Sequence, residues 1–125
     1  LDARAYRFEA GGRSIVISAT GWGSEALTAF ARGANLLVHE AAFLPTPEIA
    51  RELGIEAQSD RLQREAAIHT GLGDVGALAA RAGVGALVLV RLRPPPVYDL
   101  QITSLVDDSF DGRILIPSDG DEITP

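Results

Sequence analysis

The chain has 125 residues, 46% of them hydrophobic, and a net charge of −6. It is long enough to bury one core and too apolar to be disordered. No basic stripe is visible, so nucleic-acid binding through phosphate neutralisation is not expected of this segment. The lack of cysteine removes disulfides and thiolate metal sites. No apolar run is long enough to span a membrane and no secretory leader is visible, so a single cytoplasmic domain over residues 1–125 is expected. Leu1 in place of an initiator methionine reads as the start of an excised or processed piece.

In chain order, AYRFEA (5–10) and SIVIS (14–18) flank a GGR turn and are predicted to pair as a hairpin. Ser24 is placed to cap a helix that runs to about Arg32 and stops at Gly33. NLLVHE (35–40) is a short apolar strand. TPEIARELG offers Thr46 as a cap, Pro47 in the first helical position and Gly54 as a stop. SDRLQREAAIHT, capped by Ser59, and GDVGALAARAG, ended by Gly83, are two more helices. ALVLV (86–90) is a strand ended by the prolines at 94–96. YDLQITSLVDDSF forms a short helix, RILIP (113–117) a strand, and DGDEIT an edge strand after an Asp119-Gly120 turn.

This order, β-β-α-β-α-α-α-β-α-β with a possible last strand, gives an α/β fold: a mixed sheet with helices on one face. The inner strands are continuously apolar, the pattern of a sheet covered on both faces. The helices cover one. The other calls for a partner, either a missing part of the protein or a second copy joined through Ile15, Ile17, Leu37, Leu87 and Leu89 or their alternating neighbours Val16 and Val88.

Gly71, Gly73 and Gly76 spell G-x-G-x-x-G, the spacing of a dinucleotide-binding turn. That turn needs a strand before it and an acid at the end of the next strand. Here a charged helical segment precedes it, and the next strand ends in Arg91. The glycines therefore read as a turn into a closely packed helix. His69 falls at a helix junction, where free N–H groups favour an anion. His39 and Glu40 sit at a strand end, where open α/β sheets place their chemistry. The plain readings are a structural histidine, a capping glutamate, and an Arg91 salt bridge to Glu40 or Asp74.

The segments IVISATGWGSEAL, NLLVHEAAF and HTGLGDVGALAARAGVGALVLV, in this order, resemble the C-terminal half of metallo-β-lactamase-fold hydrolases of the ribonuclease Z and arylsulfatase-like branch. The resemblance covers about residues 5–120. It implies half of an αβ/βα sandwich, and a parent family that uses zinc or another divalent metal. It also implies positions. The family aspartate that bridges two metals aligns with Thr20, or is deleted together with its glycine at Ala19. The family histidine after the Leu-Val-Leu strand aligns with Arg91, which has no lone pair to offer. His69 matches the histidine that lies near the reacting group, and His39 and Glu40 match a motif whose role looks architectural. The family's main ligand cluster belongs to the N-terminal half.

Three readings follow. The first is a catalytically silent half-domain that holds no metal or cofactor and self-associates as a folding unit. The second is a hydrolase fragment active on esters or phosphoesters only with its N-terminal half. The third is a small-anion binding module using Arg91 and His69.

Overall fold

The computed structural model describes residues 3–18, 21, 23–52, 54–55, 59–93 and 99–125. Ala19, Thr20 and the prolines at 94–96 lie outside them. The order of elements is the one expected: β1 (Ala5–Ala10), β2 (Arg13–Ser18), α1 (Glu25–Phe30), β3 (Leu36–Ala42), α2 (Pro47–Glu52), α3 (Ser59–Ala66), α4 (Leu72–Ala82), β4 (Ala86–Arg93), α5 (Asp99–Asp107) and β5 (Arg113–Leu115).

Local chemistry sets the boundaries. Gly11 and Gly12 both take positive φ, at 57° and 75°, as a two-residue hairpin turn between right-twisted strands requires. The Ser24 hydroxyl accepts from the Leu27 N–H at 3.1 Å, which satisfies one free donor of α1. Thr46 does the same for Ile49 at 3.4 Å. Gly83 closes α4 in the left-handed conformation, its N–H reaching the Ala79 and Ala80 carbonyls. Some boundaries differ from expectation. Ser59 is the first residue of α3 rather than its cap, and residues 121–125 form no strand.

The five strands lie side by side in sequence order. β1 pairs antiparallel with β2, and the other pairs are parallel. Each parallel step needs a crossover, and the helices supply it. α4 packs on β3 and β4 and against α1 and α5. Under these helices lies the main core, built on Val16, Leu37, Leu87 and Leu89 from the sheet and Val75, Leu78 and Val106 from the helices.

The register separates the residues expected on the partner-facing surface. Ile15 pairs with Leu36 and Ile17 with Val38, so Ile15, Ile17 and Val88 share one face. Val16, Leu37, Leu87 and Leu89 belong to the helix side and cannot join them, because successive strand residues point to opposite faces. The chain covers part of the second face itself. Ile123 packs with Leu36, Ala86 and Val88, while the Thr124 and Pro125 carbonyls accept from Arg113 and Arg13. This crossing of the sheet replaces the expected edge strand. Toward β1 the same face stays open: Tyr6 and Phe8 are each 57% exposed and Ile17 is 41% exposed. Opposite them on the helix side, Arg7 binds Glu9 and donates to the Phe30 and Arg32 carbonyls at the end of α1.

The glycine motif is a packing device. Gly71 caps α4. A Cβ at Gly76 would overlap Ser109 Oγ and lie 2.9 Å from the Val106 carbonyl oxygen, whereas one at Gly73 meets nothing. Gly76→Ala should therefore cost about 1–3 kcal/mol through overpacking. Gly73→Ala should be neutral or add up to about 1 kcal/mol of helix propensity. Urea unfolding of the two variants checks this, and equal midpoints would contradict the α4–α5 contact.

Candidate functional site

The site forms where the end of β3 meets the junction between α3 and α4. Strand β3 runs two residues beyond its expected end, so His39 and Glu40 lie inside it. They do not form a pair. Alternation sends His39 to the helix side and Glu40 to the other. The junction is tied to the strand by the backbone: Ala42 N–H donates to the Thr70 carbonyl at 2.8 Å, and Ala42 and Gly71 form a parallel bridge. That contact brings residues 69–70 alongside residues 39–40.

His69 is the centre. Its ring is buried, with the side chain 3% exposed, and its Nδ1 lies 2.7 Å from one oxygen of the equally buried Glu40 and 2.8 Å from the other. On the far side of the ring, Nε2 lies 3.1 Å from Glu65 Oε2, one helical turn back on α3. A carboxylate on each nitrogen gives both N–H groups of an imidazolium an acceptor. Glu40 Oε1 also accepts from the Gly21 N–H at 3.3 Å. The expected Arg91 bridge to Glu40 or Asp74 is absent among the described residues: Glu40 is committed to His69 and Gly21.

Thr70 completes a second chain. Its hydroxyl donates to the Gly21 carbonyl at 2.7 Å. With its one proton used there, Thr70 Oγ1 can only accept from His39 Nε2, 3.3 Å away. His39 therefore carries its hydrogen on Nε2, and its buried Nδ1 has no partner among the described residues. Burial pushes the His39 pKa from 6.5 down to about 4, against a smaller upward pull from the Glu40 charge.

Arg91 sits in an irregularity of the sheet. Glu40 pairs with Val90 and Ala42 with Arg93, so β4 holds one extra residue there. Arg91, at φ 52°, takes up the turn of this bulge, and its side chain is exposed. Of the residues singled out in the sequence, the structure joins His69 to Glu40 directly and His39 to them through Thr70. Arg91 stands apart, and Thr20 lies outside the described residues. Glu65 is not among those singled out in the sequence, and Thr70 enters there only as part of the HTGLGDVG segment that carries the resemblance. The i,i+4 spacing of Glu65 and His69 was the available signal for the first.

A metal ion does not fit the described residues on their own. Among them, no three His, Asp or Glu side chains gather as ligands would. Both His69 nitrogens face carboxylates, and the free nitrogen of His39 is sealed in the interior.

This arrangement of sheet and helices is part of a metallo-β-lactamase fold. The chain superposes with a TM-score of 0.70 and 23% identity on the metallo-β-lactamase fold protein YhfI from Bacillus subtilis, over 93% of this chain and 42% of that one. In sequence it is similar to ribonuclease Z of Mycobacterium tuberculosis, 28% identical over 116 residues. It is also similar to ribonuclease Z of Halorubrum lacusprofundi, 35% identical over 113 residues. These alignments cover 91% and 90% of this chain but 40% and 32% of those proteins, so the chain spans a third to a half of the length of its curated relatives. No family model matches it. Among the described residues, no helix is long and apolar enough to cross a membrane.

The buried His39 gives stability a pH dependence. Between about pH 4 and 6.5 the unfolded chain binds a proton at this residue and the folded chain does not, so stability rises with pH across that window. The contribution is complete above 6.5 and is lost as pH falls toward 4; a shift of this size corresponds to about 3 kcal/mol. Urea unfolding at pH 4.5 and 7 should show a smaller difference for His39→Gln than for the parent chain. Equal differences would remove His39 as the source.

Proposed function

We propose that this chain is the part of a metallo-β-lactamase-fold phosphodiester hydrolase that holds the proton-donating pair, and that alone it turns over nothing. The observation that carries this reading is the buried clamp of His69 Nδ1 on both oxygens of Glu40. A carboxylate behind one nitrogen orients the ring and leaves the other nitrogen for delivery of a proton. Here that nitrogen is Nε2. Its present partner Glu65 is 30% exposed on α3 and free to give way to a substrate. The proton passes from Nε2 to the departing oxygen of the cleaved ester, and Glu40 holds the ring as it becomes neutral. Small-anion binding through Arg91, exposed in the bulge one residue beyond the strand partner of Glu40 and apart from His69, is a separate reading.

The phosphodiester class is suggested by the ribonuclease Z relatives. With a net charge of −6, contacts along a nucleic acid would fall to other parts of the fold. Silence of the chain alone is part of this reading, and what supports it is that no group of metal-ligating side chains gathers among the described residues. The remaining length of the relatives would supply such a group.

The open end of the sheet favours an assembly role beside this. β1 turns Tyr6 and Phe8 outward on the side that has no helices, and keeps Arg7 and Glu9 on the helix side. An apolar face of this kind is covered by the rest of the fold or, in its absence, by a second copy.

The chain alone should show no hydrolysis of bis(p-nitrophenyl) phosphate. Mixed with the N-terminal portion of the M. tuberculosis relative it should gain turnover, which His69→Ala lowers by roughly 10²–10⁴-fold, the usual worth of a general acid. Turnover by the chain alone, or no gain once the two parts are shown to associate, would overturn the reading. In sedimentation over a wide dilution range the parent chain should dimerise at micromolar concentration and Phe8→Lys should remain a folded monomer. A parent chain that stays monomeric would sink the self-association.

A further inference from the structure

The hydrogen bonds around Gly21 close on themselves. The Gly21 carbonyl accepts from Thr70 at 2.7 Å, and the Gly21 N–H donates to Glu40 at 3.3 Å. The two backbone groups of one residue are thus held, by the residue next to His69 and by the carboxylate that His69 binds. The direction of every bond in the series is forced. A carbonyl cannot donate, so the Thr70 proton points to Gly21, and the remaining acceptor position on Thr70 Oγ1 is filled by His39 Nε2–H. Were His39 in its other tautomer, two lone pairs would face each other, and Thr70 would have to turn its proton away from Gly21.

His39 is also costly where it stands. It is fully buried, and its second nitrogen has no partner among the described residues. A buried acceptor left unpaired is destabilising, and a leucine would fill the same core position without that cost. What a leucine could not do is donate to Thr70.

We propose that His39 is a positioning residue for the pair formed by Glu40 and His69: by donating to Thr70 it aims the Thr70 hydroxyl at the Gly21 carbonyl, so that the Gly21 N–H stays on Glu40 and the carboxylate keeps both oxygens on His69 Nδ1. The inference builds on the pair read above as the proton donor, but concerns how that pair is held.

The test uses nitrogen-15 labelled chain and the imidazole N–H signals, which depend on no turnover. In the parent chain His39 should show the Nε2–H tautomer at neutral pH, and His69 a slowly exchanging Nδ1–H. Thr70→Val and His39→Leu should each speed exchange of the His69 Nδ1–H about tenfold, the factor expected for loss of one hydrogen bond. Thr70→Ser and His39→Gln, which keep the hydroxyl and the donor, should restore it to within a factor of about two of the parent, well inside the worth of one hydrogen bond. A merely structural role would follow thermal stability and make no distinction between leucine and glutamine. Unchanged exchange in folded Thr70→Val and His39→Leu overturns the proposal, and so does equal loss in all four variants. Should the variants fail to fold, the parent spectrum still decides: a His39 hydrogen on Nδ1 overturns it. No turnover by the chain once associated with the N-terminal portion of the relative would remove the functional reading and leave these results standing.

Discussion

A buried carboxylate set against a buried imidazole is the constraint around which this end of the molecule is organised. Two polar side chains taken out of water are tolerated only if they meet in good geometry and their remaining hydrogen-bonding groups are satisfied. Glu40 and His69 meet this demand through a chain of neighbours. Glu65 takes the second ring nitrogen, and the Gly21 amide takes part of the carboxylate. Thr70 and His39 secure Gly21. The elements that supply these groups are β3, α3, the junction before α4 and the turn after β2. A shift in any of them would strand a polar group in the interior, so the polar network and the packing of the sheet have to be satisfied together.

The sheet makes this possible by its parallel order. Parallel strands end at the same edge, and their crossovers return helices to one face. Glu40 therefore arrives at the edge where the loop after β2 and the start of α4 also arrive. The bulge at Arg91 belongs to the same edge. A residue in a left-handed conformation within a strand carries a backbone cost, and this one lies one step past the residue that pairs with Glu40. Regular pairing resumes only at Ala42 and Arg93.

The second face of the sheet is covered unevenly. At one end the C-terminal segment crosses it, and Leu36, Ala86 and Val88 are buried. At the other, Tyr6, Phe8 and Ile17 face solvent. Their alternation with Arg7 and Glu9 on β1 is that of a strand with apolar residues on the side away from its own helices.

The order of elements was legible in the sequence because each boundary rests on a local rule: two glycines that accept positive φ at 11–12, a serine hydroxyl at 24, a proline at 47, a glycine at 83. The motifs around His39, Glu40 and His69 were legible too, and pointed to the right fold. Other features were not, since they depend on register and on groups far apart in sequence. Strand alternation alone leaves open which set of residues faces the helices; the pairing of Ile15 with Leu36 decides it. The sequence suggested His39 and Glu40 as a pair, whereas the pleat sends them to opposite sides. DGDEIT has the turn of an edge strand, yet Ile123 covers the apolar face and the segment does not extend the sheet. The partner of Glu40 is 29 residues away, and only the tertiary structure brings it there, because a hydrogen bond between buried groups depends on distance in space and not on spacing along the chain.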